Sequence, residues 1–468
     1  MAVRDGEPTP ASRRARPWRQ LLSGGVGHTV ESHDWYVYTF LAVYFADDFF
    51  PKSSGDPLTP LLDTFAVFAI AFAARPVGAV VMGAYADRFG RRSALMVTIS
   101  LMGVGSLLIA LTPSYATAGP PAPALLVVAR LIQGFSLGGE YGAAVTFLVE
   151  SGGPRRGALF GSFQYVASSA GQILAGLSTL AAAQLSGDGM DRWGWRLPFL
   201  WGAVLCLAGL VIRRSAEETF RPAPEAGGRL ARSGPFAALR HHPRQALLVV
   251  GLTTGGTVAF YTWTTFLPAY ATVNADADKE SAVLAGTVSL IFFGLIQPLG
   301  GMFSDRVGDR RMMIAFGTAA AVLTVPLLTA LSSSFWSVLL VQCAGMFILT
   351  GYTSVAGALN ARLFPRELRG RGIGLPYAGT VALFGGTAPY VGTWLKSIGS
   401  SALFPWYVAV LCAVTALTAS RLSPAARRPM KDRPSLQENI HWSPGTAESS
   451  TPGVPGDRHA GSEPPAAT

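Results

Sequence analysis

Three titratable side chains lie close together in an otherwise apolar stretch near the start of this 468-residue chain. Glu31 and Asp34 are three residues apart, so they share one face of a helix, and His33 lies beside Asp34. Neighbouring carboxyl groups raise each other's proton affinity, and an imidazole titrates near neutral pH. The cluster therefore predicts a site that binds and releases a proton, with Asp34 as the first candidate. The alternative is that the acids are fixed structural partners of arginines.

Two arginines in similar apolar surroundings are candidates for binding an anion. A guanidinium group binds a carboxylate through two parallel hydrogen bonds. Arg75 is expected to meet either Asp34 or a substrate carboxylate. Arg130 is expected to bind the substrate or to take part in coupling, and a purely structural ion pair is the alternative. Other polar side chains complete the predicted substrate-binding set: Gln133, Tyr141, Gln164, Tyr165, Tyr261, Gln297 and Tyr377. Each tyrosine taken alone is more typical of a core or interfacial position.

The elements that position these residues are predicted to be membrane-spanning helices. Only 14% of the residues are charged, against about 25% in a typical soluble domain. A helix needs about 20 mostly apolar residues to cross a membrane, and the chain contains twelve such runs. We therefore predict an all-α membrane protein with twelve transmembrane helices in two six-helix bundles. The predicted order is a cytoplasmic N-terminal segment (1–20), a first bundle (21–213), a cytoplasmic linker (214–243), a second bundle (244–421) and a disordered cytoplasmic tail (422–468).

The distribution of charge predicts the orientation of these helices. The net charge is +10, and the basic residues concentrate in both termini, the linker and the loops on one side. The positive-inside rule places that side, with both termini, in the cytoplasm of a cell-membrane protein. The excess charge therefore indicates topology and no nucleic-acid partner. The three cysteines form no C-x-x-C pair and no cluster with histidine, so no metal or cofactor is expected.

An internal repeat relates the two halves of the chain. The pattern G-x-x-x-D-R-x-G followed by an arginine pair occurs after the second and after the eighth apolar run. Its members are Gly83, Asp87, Arg88, Gly90, Arg91 and Arg92 in the first copy, and Gly301, Asp305, Arg306, Gly308, Arg310 and Arg311 in the second. The glycines permit tight turns, and the charged groups can meet helix ends or opposite charges. We predict that these are gating loops that rearrange during transport; a charged turn that only obeys topology is the alternative.

The doubled motif resembles the major facilitator superfamily. The segments 130–142 and 193–199 resemble its metabolite:proton symporter branch, and 122–142 and 294–305 resemble the α-ketoglutarate permeases of that branch. The first helix departs from the branch pattern G-N-x-x-E-W, because His28 stands in place of the asparagine. The resemblance implies a monomeric proton symporter that imports a small carboxylate, first of all α-ketoglutarate or a related dicarboxylate, by alternating access.

Two other functions remain open from the sequence. The same branch includes symporters of zwitterions such as proline or betaine, and a non-transporting membrane sensor could use the same fold. A membrane enzyme is not expected, because the chain has neither an H-E-x-x-H nor a G-x-S-x-G motif. The expected partners are therefore a small-molecule carboxylate, protons and the lipid bilayer.

Overall fold

A computed structural model of the protein describes residues 17–51, 56–138, 148–149, 152, 156–214, 240–364 and 369–422. This part of the chain is built from α-helices, as the apolar runs predict. Most of the predicted terminal segments and linker lie outside the described residues. So do Tyr141 and the side chains of Asp87 and Arg91, whose predicted roles therefore stay predictions.

The first half of the described chain contains six long helices. They are α1 (Pro17–Phe49), α2 (Thr59–Phe89), α3 (Arg91–Leu111), α4 (Pro121–Gly138), α5 (Gly157–Ser186) and α6 (Arg196–Arg214). The helix α1 begins at residue 17, inside the predicted N-terminal segment that ends at 20. Proline suits the first position of a helix, because the N–H group that it lacks would have no partner there.

The second half contains six corresponding segments, two of which include a π-helical turn. Its helices are α7 (Pro243–Ala275), α8 (Lys279–Val307), α9 (Asp309–Thr329), α10 (Phe335–Leu363) and α12 (Leu403–Ser420), while α11 consists of Arg369–Thr380 and Ala388–Ser397. A π-helical turn joins the two parts of α11 at Val381–Gly385, and another lies within α7 at Thr262–Phe266. Such turns frequently occur at functional sites.

Nine helices within the described residues are long and apolar enough to cross a membrane. The other three segments differ from them in composition or continuity. The helix α1 carries several charged residues, α6 has a shorter apolar stretch, and α11 is divided by its wide turn. The structure thus confirms a multi-pass helical fold, and the total of twelve spans stays a prediction for these three segments.

The helices α5 and α8 hold the two halves together by close backbone contact. A Cβ atom added to Gly301 of α8 would lie 2.7 Å from the Cα atom of Leu159 on α5. Further along, a Cβ atom added to Gly176 of α5 would lie 2.1 Å from Oγ1 of Thr287 on α8. The pairing proceeds in opposite directions along the two helices, so they are antiparallel across the interface between the halves.

Small residues also bring α2 and α4 together. Added Cβ atoms at Gly134 and Gly138 would lie 1.9 Å and 2.0 Å from the backbone carbonyl oxygens of Ala71 and Arg75. Because any side chain at these positions would separate the helices, the two glycines fix the backbone of α2 at Arg75 against α4.

The two copies of the repeated motif form equivalent turns. Gly90 joins α2 to α3 with φ 91°, and Gly308 joins α8 to α9 with φ 99°. Residues with a Cβ atom rarely adopt this conformation, so glycine is required at both turns. The repeat seen in the sequence is therefore also a repeat of local structure.

Candidate functional site

A central cavity of about 90 Å³ lies between the two halves. Five of the nine predicted substrate-binding residues line it: Arg75, Gln164, Tyr165, Tyr261 and Tyr377. Other polar or aromatic lining residues are His28, Ser32, Trp35, Tyr36, Ser168, Thr257, Phe260 and Tyr352. Both halves therefore contribute to the wall, as a site that opens alternately to each side requires.

Arg75 presents its guanidinium group to this cavity. The group lies 4.6 Å from the ring centroids of both Trp35 and Phe72, and Nη1 donates a hydrogen bond of 3.4 Å to the hydroxyl of Tyr261 in the other half. Among the described residues Arg75 has no carboxylate partner, and the ion pair with Asp34 that we considered from the sequence is not formed. Arg75 is thus placed to receive a carboxylate from a ligand.

Asp34 is fully buried on the side of α1 that faces α3 and α6. Its Oδ2 atom accepts hydrogen bonds from Ser106 Oγ at 2.7 Å and from Cys206 Sγ at 3.2 Å. Its Oδ1 atom lies 2.9 Å from Nδ1 of His33. A Cβ atom added to Gly202 of α6 would lie 1.9 Å from the same oxygen, so this glycine makes room for the carboxylate.

The other two residues of the predicted proton site are buried as well. His33 is 1% exposed, and its Nε2 atom lies 3.1 Å from Oγ of Ser178 on α5. Glu31 is also 1% exposed. The imidazole of His33 therefore connects Asp34 to α5, the helix that meets the other half of the protein.

Arg130 and Gln133 extend the hydrogen-bond network of Asp34 and do not line the cavity. Arg130 Nη1 donates to Gln133 Oε1 at 2.7 Å, and Gln133 Nε2 donates to Ser106 Oγ at 2.9 Å. The guanidinium of Arg130 is fully buried, 4.5 Å from the ring centroid of Trp35 and 4.2 Å from that of Tyr38. This position places both side chains among protein groups and away from the cavity wall, and their predicted contact with the substrate stays a prediction.

Trp35 lies between the network of Asp34 and the central cavity. The guanidinium groups of Arg75 and Arg130 are 4.6 Å and 4.5 Å from its ring centroids. Each such cation–π contact contributes about 0.5–2 kcal/mol, depending on how far it is removed from water. The guanidinium groups of Arg130 and Arg75 therefore contact the same indole ring.

Gln297 also lies away from the cavity lining. It is fully buried in the second half, where Oε1 accepts a hydrogen bond of 2.9 Å from Thr353 and Nε2 lies 3.5 Å from Thr350 Oγ1. These contacts join α8 to α10. The amide thus has partners within its own half, and its predicted contact with the substrate stays a prediction.

His28 lines the cavity, although it is not among the predicted site residues. Its Nε2 atom lies 2.9 Å from Nε2 of Gln164. His28, Ser32, Trp35 and Tyr36 occupy positions i, i+4, i+7 and i+8 of one helix. That spacing places them on one face of α1, and it is the signal from which their shared location could have been found.

Comparison with known proteins gives a consistent family. A model described as "Sugar (and other) transporter" matches residues 27–221, and one described as "Major Facilitator Superfamily" matches residues 252–455. The α-ketoglutarate permease of Escherichia coli is 41% identical over 89% of this chain and 96% of its own length. The chain belongs to the major facilitator superfamily. It is accordingly a transporter and not an enzyme.

Other members of the superfamily are similar at lower identity. A citrate-proton symporter of Salmonella typhi is 35% identical over 89% of this chain and 97% of its own length. A proline/betaine transporter of Salmonella typhimurium is 30% identical over 88% of this chain and 85% of its own length. The Escherichia coli xylose transporter in a partially occluded inward-open conformation matches the fold with a TM-score of 0.66 at 16% identity, covering 88% of this chain and 98% of that chain.

The halves of this transporter also contact each other on both sides of the cavity. At the end that bears the Gly90 and Gly308 turns, which we call the motif end, Asp305 of α8 meets the N-terminus of α5. Its two carboxylate oxygens accept backbone hydrogen bonds from Ala158 at 3.0 Å and Leu159 at 3.1 Å. A carboxylate at a helix N-terminus satisfies otherwise unpaired N–H groups and the helix dipole.

The remaining charges of the second motif copy stay within their own half. Arg310 donates to the backbone carbonyl oxygens of Ala419 and Ser420 at the end of α12, at 3.1 Å and 2.5 Å. Asp309 forms an ion pair with Arg362. Arg306 and Arg311 are exposed, as is Arg88 of the first copy. Asp305 is therefore a predicted gating residue whose hydrogen bonds cross between the halves.

At the opposite end the halves meet through a weaker set of contacts. Lys279 of α8 lies 3.1 Å from Asp191 Oδ1 and 4.9 Å from the ring centroid of Tyr44. Because Lys279 and Asp191 are 37% and 61% exposed, this pair contributes at most about 1 kcal/mol. Phe65 and Phe266 also pack edge to face at 5.5 Å. Closure at this end thus depends more on packing than on charge.

Replacing Asp305 with asparagine should destabilise closure at the motif end. The amide keeps one oxygen acceptor, but it leaves one N–H group of α5 without its carboxylate partner and removes the charge from the helix terminus. The loss of such a cap costs about 1–2 kcal/mol, which shifts the conformational equilibrium about 5- to 30-fold. Solvent accessibility of a single cysteine introduced at the motif end should increase, and substrate affinity should stay within a few fold.

The matched control for this variant is Asp56→Asn. Asp56 also accepts a backbone N–H, that of Leu58 at 2.9 Å before α2, but it does so within one half. The Asp56→Asn variant should therefore leave the accessibility of the introduced cysteine unchanged. Equal accessibility in Asp305→Asn and wild type, or a large loss of equilibrium substrate binding, would contradict the gating role of Asp305.

Proposed function

We propose that this transporter is a symporter that imports a small dicarboxylate together with protons, with α-ketoglutarate as the first choice. The observation that carries the proposal is Arg75, a guanidinium group at the wall of the cavity that has no carboxylate partner among the described residues. The names of the two relatives at 41% and 35% identity, an α-ketoglutarate permease and a citrate-proton symporter, support the same substrate class.

The binding site follows from the groups around Arg75. Its guanidinium can form two parallel hydrogen bonds with one carboxylate, and stacking on Trp35 and Phe72 restricts its orientation. Tyr261 approaches the same guanidinium from the second half. A bound carboxylate would therefore contact both halves at once, which stabilises the occluded conformation.

Proton coupling is assigned to the pair of Asp34 and His33. An ionised Asp34 accepts hydrogen bonds from Ser106 and Cys206, whereas a protonated carboxyl group must donate one. Protonation therefore changes the bonding of Ser106, which is itself the acceptor of Gln133. This change in hydrogen bonding reaches Arg130 through Gln133, and it reaches Trp35 through Arg130.

Transport by alternating access requires one end of the cavity to open while the other stays closed. Substrate and proton enter after the contacts of Lys279 separate, and both leave at the motif end after Asp305 releases α5. The positive-inside rule makes the motif end cytoplasmic, with both termini on the same side. One chain forms the whole cavity, so we propose that the monomer is the transporting unit.

Uptake by the purified protein in proteoliposomes tests this proposal. Labelled α-ketoglutarate, citrate, 2-oxopentanoate, betaine and proline are compared with and without an inwardly directed proton gradient. Accumulation of a dicarboxylate that depends on the gradient is the expected result. Gradient-independent uptake would contradict symport, and binding without uptake of any compound would favour the non-transporting sensor.

A zwitterion such as betaine is the second candidate substrate, and the aromatic wall of the cavity favours it. The rings of Tyr36, Tyr165, Phe260 and Tyr261 line one region, and aromatic faces bind quaternary ammonium groups. One relative at 30% identity is named a proline/betaine transporter. Uptake of betaine in preference to α-ketoglutarate in the same panel would replace the first proposal by this one.

A further inference from the structure

The indole N–H of Trp35 is a buried hydrogen-bond donor at the wall of the cavity. Trp35 is fully buried and lines the cavity, and its Nε1 atom has no hydrogen-bond partner among the described residues. Buried indole N–H groups usually find a partner, as Trp195 does by donating to Oδ2 of Asp48 at 2.8 Å. Because an indole nitrogen donates and does not accept, the group requires an oxygen that the described wall does not supply.

A second unpaired donor belongs to the guanidinium group beside Trp35. Arg75 Nε is buried and has no hydrogen-bond partner among the described residues, whereas Nη1 donates to the hydroxyl of Tyr261. The Nε and Nη2 atoms form one edge of a guanidinium group, and such an edge can bind both oxygens of a carboxylate. The guanidinium lies 4.6 Å from the ring centroid of Trp35. The helices α1 and α2 thus bring unpaired N–H groups to one region of the wall.

The described wall of the cavity contains no carboxylate that could accept from these donors. The aromatic ring of Phe72, whose centroid is 4.8 Å from that of Trp35, offers at most a weak contact to an N–H group. An ionised carboxylate only accepts hydrogen bonds, and its two oxygens have about four positions for donors. One carboxylate can therefore accept two hydrogen bonds from Arg75 and a third from Trp35.

We infer that the indole N–H of Trp35 donates a hydrogen bond to the carboxylate that Arg75 holds, so that Trp35 is itself a substrate-binding residue. The inference rests on the proposed function and adds a direct contact between the substrate and α1. Trp35 follows Asp34 in the chain, and consecutive residues of a helix point about 100° apart. Trp35 lines the cavity, whereas Asp34 contacts α3 and α6. Substrate and proton accordingly bind to neighbouring residues of one helix.

Replacing the N–H group alone tests this assignment. In the variant Trp35→benzothienylalanine the shape of the side chain is retained, and a sulfur atom stands in place of the indole N–H. Binding of α-ketoglutarate and of 2-oxopentanoate to the full-length protein in lipid nanodiscs is measured by calorimetry at one fixed pH. Both acids carry a carboxylate for Arg75, so both affinities should fall about 10- to 100-fold, the range for a lost hydrogen bond to a charged group.

The melting temperature of the ligand-free protein separates a binding role from a structural one. It should not fall in Trp35→benzothienylalanine, because the N–H group has no partner among the described residues. A lower melting temperature with unchanged affinities would overturn the assignment. Weakening of α-ketoglutarate binding alone would overturn it too, because the N–H group would then serve the distal carboxylate.

The same replacement at Trp336 is the matched control, because that side chain is 66% exposed. The variant Trp336→benzothienylalanine should bind both acids with the affinity of wild type. Equal affinities in the two variants would overturn the role of Trp35. Failure of the wild-type protein to bind either acid would instead overturn the proposed function.

Discussion

Replacing Asp34 with asparagine should abolish proton-driven accumulation of substrate while leaving exchange of substrate across the membrane. The amide resembles the protonated acid but cannot release a proton, so the gradient no longer drives the cycle. One unit of pH difference supplies about 1.4 kcal/mol per proton, enough for about tenfold accumulation. In proteoliposomes, accumulation by Asp34→Asn should therefore fall to the equilibrium level, and counterflow of labelled substrate should persist.

His33→Gln is the control that separates the two partners of the buried pair. It removes the titratable ring 2.9 Å from Asp34 and keeps a polar side chain. If Asp34 carries the proton, this variant should still accumulate substrate against its gradient, with a changed pH optimum. Near-normal accumulation by Asp34→Asn, or loss of it only in His33→Gln, would move the assignment to His33 or Glu31.

Replacing Arg75 with lysine should weaken substrate binding about tenfold or more although the charge is retained. An ammonium group cannot form the two parallel hydrogen bonds of a guanidinium group, and it loses the planar stacking on Trp35 and Phe72. One hydrogen bond to a charged group is worth about 1.5–3 kcal/mol. The Michaelis constant for uptake and the dissociation constant in nanodiscs should therefore both increase.

Arg192→Lys provides the matched control, because Arg192 is exposed near the opposite end of the bundle. It should have the affinity of wild type. Arg75→Lys with the affinity of wild type would show that the substrate does not use the paired hydrogen bonds. Exclusive loss of proton coupling in that variant would instead place Arg75 in the network of Asp34.

The sequence predicts the helical class, the two related halves and the existence of buried charge. The apolar runs give nearly all the helices, because a membrane requires long helices whose backbone groups are bonded internally. The repeated glycines predict the turns at Gly90 and Gly308. The glycine spacing on α4 indicates close packing with a neighbouring helix, and the structure identifies that helix as α2. These features depend on a few neighbouring residues, so they can be recognised without the rest of the fold.

The partners of the buried charges depend on residues far apart in the chain. Asp34 bonds to Ser106 and Cys206, which are 72 and 172 residues away. Both arginines lie in apolar helices, and their local sequences do not distinguish the one at the cavity from the one within the first half. The sequence therefore left two partners open for Arg75, and the described residues show no ion pair between it and Asp34.

The sequence by itself determined which residues share a face of each helix, because the helical repeat fixes their relative angles. Only the tertiary structure decided where each face points. The close approach of α2 and α4 at Gly134 and Gly138 sets the rotation of both helices. Trp35 of α1 packs against both, and its ring separates Arg75 from Arg130. Rotation about a helix axis is fixed by the surfaces of its neighbours, and no periodicity within one helix contains that information.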